Sequence, residues 1–173
     1  MTLKVGMSQV HVNFIQQQGF KDASVRTCDV QYPALMFQPR IIGVLVLAGV
    51  FLQASILFVI LSAVLYWSAL IPRLNPFDRL YNSLVAARKG RPALRPAPGA
   101  RRFAQGMAAT FAALIGASLI AGWTLLAWVL EALLIAALGA LIFGGFCLGS
   151  HVFHLLTGNG EFARRTLPWG RGA

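Results

Sequence analysis

Near its C-terminal end the chain reads Gly144-Gly145-Phe146-Cys147-Leu148-Gly149-Ser150-His151-Val152-Phe153-His154. On a single helix Cys147, His151 and His154 would fall at i, i+4 and i+7 and share one face. A thiolate with two imidazoles is a partial metal-ligand set, which Cys28 or His11 could extend from the N-terminal region. The same thiol beside histidine or arginine could instead be reactive, because a nearby cation favours the thiolate. The plainer reading is that the histidines meet lipid headgroups and the small cysteine eases packing. Gly145 and Gly149 form a GxxxG pair, the spacing that lets two helices approach closely in lipid.

Glu131 is the second candidate. It is the only formal charge between Phe103 and Leu156. A carboxylate at that depth is costly unless neutralised or paired, so it marks a functional-site hypothesis. Its candidate roles are proton carrier, ligand contact, or hydrogen bond to a neighbouring helix. Trp123 lies eight positions earlier, which puts Glu131 about 12 Å from an interfacial indole. No Ser-His-Asp order, P-loop, HExxH or dinucleotide fingerprint is present, so the reading favours a protein that is not an enzyme.

The elements that would position these residues are membrane helices. Apolar residues make up 57% of the 173-residue chain and charged residues only 12%. Soluble domains carry about 25% charged residues, too many for this chain to match. Two cysteines cannot build a disulfide scaffold, and a thiol in the cytoplasm stays reduced. The polar start, with Asp22, Asp29 and Gln16-Gln17-Gln18, does not resemble a cleavable signal peptide.

Ile41 to Ile71 is free of charge. As one helix it would reach roughly 46 Å against an ~30 Å hydrocarbon core. A hairpin turning near Gln53-Ala54-Ser55 fits better. The second apolar run breaks most naturally at Ala121-Gly122. Between the two runs stand Arg73, Arg79, Arg88, Lys89, Arg91, Arg95, Arg101 and Arg102 against Asp78 alone. That excess predicts a cytoplasmic segment, with both termini on the same side. The net charge of +10 then follows from this bias and from anionic lipid, and no nucleic-acid partner is expected.

The expected fold is an all-α membrane protein, a four-transmembrane-helix bundle with a cytoplasmic amphipathic interfacial helix. The spans are placed at about 37–52, 55–71, 103–120 and 123–147. Residues 1–36 form a cytoplasmic arm, 37–156 the membrane domain, and 157–173 a cytoplasmic tail. Alternation at Val10, Val12 and Phe14 hints at a short strand in the arm, with Gly19 and Pro33 as breaks. The interfacial helix covers 76–89, with Asn75 as N-cap, Pro76 at the first position and Asp78 as a capping carboxylate. Phe77, Leu80, Tyr81, Leu84 and Val85 form its apolar stripe, and Arg79, Arg88 and Lys89 face headgroups. Gly90 ends it, and 91–99 is a proline-rich linker.

Four short segments carry a family resemblance: Gln38-Pro39-Arg40, Asn75-Pro76-Phe77-Asp78-Arg79-Leu80-Tyr81, Arg102-Phe103-Ala104-Gln105 and Phe146-Cys147-Leu148-Gly149. In this order and spacing the chain resembles, over about residues 37–156, a bacterial membrane family known only as domain of unknown function 4395. The resemblance implies a four-helix membrane domain. The family pattern closes with Cys-Leu-Gly-Cys, whereas this chain has Ser150 at the second cysteine position and so lacks the dithiol.

The leading functional expectation is a small inner-membrane subunit or partner of a larger assembly, or a homo-oligomer. One rival is a thiol- or sulfur-handling or metal-binding protein using Cys147, His151 and His154. The other is an oligomeric proton-linked transport module built on Glu131.

Overall fold

The computed structural model describes residues 2–20 and 25–170, with side chains described over 9–20 and 30–170. Among them every regular element is helical. The order is α1 (Thr2–Gln17), α2 (Val25–Leu52), α3 (Ser55–Leu70), α4 (Pro76–Tyr81), α5 (Gly99–Ile120), α6 (Thr124–Gly144), α7 (Leu148–Leu156) and α8 (Gly160–Arg165). A 3-10 turn at Pro72–Leu74 precedes α4, and a π turn at Asn82–Ala86 follows it.

Three stretches are long and apolar enough to cross a membrane: Val30–Leu52, Gly99–Ile120 and Thr124–Gly144. The expectation of four such helices is therefore met only in part. α3 is apolar but has 16 residues, about 24 Å of rise, short of an ~30 Å core.

The two hairpins pack antiparallel. Arg102 Nε donates to the Ala69 carbonyl at 2.7 Å, joining the end of α3 to the start of α5. Midway, Tyr66 and Thr110 hydroxyls meet at 2.8 Å. At the far end a Cβ on Gly116 would stand 2.9 Å from Val59, so glycine is what allows the contact. The core between the hairpins is Val46, Phe58, Leu65, Ala109, Ala112 and Ile115 with their neighbours. Large residues on α3 meet alanines on α5, so these two helices approach closely.

The first turn falls where the uncharged run predicts it. Gln53 has φ 46°, the only non-glycine residue with positive φ among those described. That conformation costs about 1–3 kcal/mol and persists only where contacts hold it. Its side-chain amide supplies them, donating to the Val50 carbonyl at 2.7 Å and onward to α6.

Several expectations need correction. The N-terminal arm contains no strand at Val10, Val12 and Phe14. It forms α1, which buries Asn13, Phe14, Ile15 and Gln17. Pro33 lies inside α2 rather than ending an element. The last helix is not continuous to residue 147. It ends at Gly144, and Gly145 caps it in the left-handed region at φ 62°, a conformation glycine enters without steric cost. Gly145 and Gly149 are thus not a GxxxG pair on one helix. Gly149 still makes a close approach, to α5, where a Cβ would stand 2.7 Å from Ala104 Cα.

The segment expected to be interfacial keeps its predicted start. Asn75 Oδ1 accepts from the Phe77 amide at 3.0 Å, and Pro76 opens the helix. Its apolar stripe divides, with Phe77 and Tyr81 buried in the protein and Leu80 and Leu84 exposed. The segment 157–173 is also ordered where described: α8 forms, and Asn13 Nδ2 donates to the carbonyls of Leu167 and Gly170.

Replacing Gly149 with valine should push α7 off α5 and cost about 1–3 kcal/mol. Gly106, whose added Cβ would meet nothing within 4 Å, should accept alanine without loss. Thermal unfolding in mild detergent distinguishes them, and equal midpoints would refute the close α5–α7 contact.

Candidate functional site

Three polar centres organise the molecule, and the largest is buried. Arg101, in the first turn of α5, is 5% exposed. Its Nη1 and Nη2 donate to Asp78 Oδ2 and Oδ1 at 3.2 and 2.7 Å. Nη2 also donates to Gln38 Oε1 at 2.8 Å, and Gln105 Nε2 donates to the same oxygen at 2.9 Å. α2, α4 and α5 are thereby tied by one network. Asp78 does not serve as the capping carboxylate the sequence suggests; Asn75 caps alone and Asp78 turns inward. Gln38 Nε2 and Gln105 Oε1 are buried without a hydrogen-bond partner.

The second centre is Gln17. Its side-chain Oε1 accepts from the Cys147 amide at 2.8 Å, and its carbonyl lies 3.0 Å from His154 Nε2. α1 therefore clasps the break between α6 and α7. Val10 packs against Gly145 at the same place.

The third is at the opposite end. Gln53 Nε2 lies 3.3 Å from both carboxylate oxygens of Glu131, which is 3% exposed. Glu131 thus meets the strained α2–α3 turn through the Gln53 amide.

Between the first two centres and the bundle's middle lies a cavity of about 210 Å³. Its polar end is lined by Gln18, Gln38, Arg101, Gln105 and Cys147. The rest is apolar, including Ile42, Phe111, Leu134, Ala137 and Leu138. From Arg101 to Phe111 along α5 it extends about 15 Å. Pro39, also in its wall, has no N–H to give the Leu35 carbonyl one turn back.

The structure does not gather Cys147, His151 and His154 into one site. Cys147 precedes α7 as its N-cap residue and lines the cavity. His151 lies against Phe146 in a tilted ring contact, and His154 is held by Gln17 and packs on Phe162. Among the described residues no three His, Cys, Asp or Glu side chains are placed to hold a metal. His11 stacks on Tyr32 with ring centroids 3.8 Å apart; the Cys28 side chain lies outside the described residues. Arg79, Arg88 and Lys89 are all exposed. Glu131 does not line the cavity.

Fold and site together define a small all-helical protein with three helices able to cross a membrane and a partly open cavity that is polar at one end. The chain belongs to the family described as domain of unknown function (DUF4395), whose model matches residues 30–157. No curated protein and no solved structure matches it. The matched region contains the whole Gln38–Asp78–Arg101–Gln105 network and stops short of α1.

Asp78→Leu should strand a buried guanidinium and cost about 3–5 kcal/mol. Adding Arg101→Met should recover most of that loss, because the uncompensated charge is then gone. The check is chemical or thermal unfolding of both variants. A double variant no more stable than the single one would show that the pair does not matter as a pair.

Proposed function

We propose that this is a four-span protein of the bacterial inner membrane, with both termini cytoplasmic. In this reading it holds a small amphipathic molecule and works as a partner within a larger membrane assembly. The observation that carries the reading is the cavity: apolar along most of its wall, with buried unpaired amide groups at one end. Unpaired buried polar atoms cost about 1–3 kcal/mol each and call for a physical reason. A bound molecule supplies one.

α3 serves as the fourth span, its short length met by local bilayer thinning and by its full-length contact with α5. Both uncharged turns then lie outside. The basic segment, α1, α7 and α8 lie at the cytoplasmic end, as the charge bias requires. α4 rests on the inner leaflet with exposed Leu80 and Leu84 beside Arg79, while Arg88 and Lys89 reach headgroups. The partner role draws on α6, whose span is only 22% buried. Ala132, Ala136, Ala140 and Gly144 run along it at four-residue spacing, and all but Ala140 are exposed. Such small residues suit a neighbouring helix.

A second reading, thiol or sulfur handling, draws on the position of Cys147 in the cavity wall.

Extraction of the tagged chain from its native membrane in lipid nanodiscs, followed by mass spectrometry of protein and small molecules, tests the proposal. A retained amphipathic molecule and a stoichiometric companion are expected. A monodisperse monomer free of both would overturn it, and a persulfide on Cys147 would move the assignment to the second reading.

A further inference from the structure

Resting on the reading of the cavity as a binding site, we infer that its ligand is a neutral lipid whose head bears a hydroxyl group. The amide orientations follow from their partners. A guanidinium has only donors, so Gln38 must turn its oxygen to Arg101. That oxygen also receives Gln105 Nε2. The atoms left with no partner at all at the polar end of the cavity are the amino group of Gln38, Nε2, and the carbonyl oxygen of Gln105, Oε1. Gln38 and Gln105 are 4% and 6% exposed, and both line the cavity. A hydroxyl, alone or beside a carbonyl, matches the pair, since its oxygen accepts from Gln38 while its proton is donated to Gln105.

Charge decides against the alternatives. Among the described residues Arg101 is the only charged one in the cavity wall. Its two Nη groups are already forked onto Asp78. A carboxylate or phosphate head would have to displace Asp78 or remain uncompensated in a low-dielectric site, and both are unfavourable. Among the described residues no carboxylate lines the cavity to receive a cation. The remaining wall suits a short alkyl chain running toward Phe111 and Leu134.

The test is native mass spectrometry of the full chain in nanodiscs with three probes of equal chain length. These are monodecanoylglycerol, methyl decanoate and decanoate. The glyceride should bind one per chain and about tenfold more tightly than the ester, the worth of one buried hydrogen bond. Decanoate should bind weakest at neutral pH. Gln105→Met should bring the glyceride down to the level of the ester, and Ala137→Phe, which fills the cavity, should abolish binding of every probe. Equal binding of the three probes, or preference for decanoate, would overturn the head-group assignment while leaving the cavity as a binding site. Binding of none, or binding undiminished by Ala137→Phe, would overturn the cavity reading itself. If Gln105→Met does not fold, the order of the three probes on the unaltered chain decides.

Discussion

A guanidinium held inside an apolar bundle must have its charge answered, and in this protein one carboxylate answers it. Arg101 and Asp78 are 23 positions apart in the chain, on α5 and α4, and both are buried. Satisfying the pair obliges α4 to fold back against the start of α5. It also obliges Gln38 of α2 to point its oxygen inward. Such a pair is weak evidence for stability, because desolvation offsets much of the attraction. Its effect is on arrangement: few other placements of α2, α4 and α5 leave no buried charge exposed to hydrocarbon. The segments on which the family resemblance rests supply three of its four members, Gln38, Asp78 and Gln105.

The same constraint shapes the cavity. Once the Gln38 oxygen is committed to Arg101 and Gln105, the two remaining amide atoms have no partners within the protein. Gln17 works in parallel from α1. By accepting the Cys147 amide it satisfies a donor at the chain break after Gly145 and brings Cys147 to the cavity wall. α1 is outside the matched family region, yet Phe14 and Gln18 complete the polar end. The N-terminal segment therefore forms part of the cavity wall.

Local signals were legible in the sequence, and long-range ones were not. The Gln53 turn, the Gly122 turn and the Asn75–Pro76 helix start each depend on adjacent residues, and the structure has them in place. The α1 helix is obscured in sequence because its buried face carries Asn13 and Gln17 beside Phe14 and Ile15, with buried Gln18 just beyond its end. A hydrophobic period cannot register buried amides. At residues 144–149 the glycines fit two patterns, a packing pair and a helix stop. The left-handed conformation of Gly145 settles the choice, and the Gly144-Gly145 doublet was the available clue. Arg101 read as one more solvated cation of a basic segment, since nothing near it in sequence announces Asp78 as its partner. Cys147, His151 and His154 shared a face only on the assumption of an unbroken helix.

The bundle carries polar contacts at its two ends and almost none between. Glu131 and Gln53 hold one end, where a strained turn is fixed by the very side chain that strains it. The Arg101 network and the Gln17 clasp hold the other. Hydrogen bonds are directional, so they set helix positions that apolar contacts alone would leave adjustable. Along the middle, Ala104, Ala108 and Ala137 line the cavity where larger residues would close it. In the membrane setting proposed above, the hydrophobic effect gives helices little reason to collapse onto such a space, because an alkyl chain fills it as well as a side chain does. On the proposed reading, a cavity kept open by pinned ends is ready before its occupant arrives, and binding then costs less ordering of the protein. The small residues and the polar ends are thus two parts of one device, the first making room and the second keeping it.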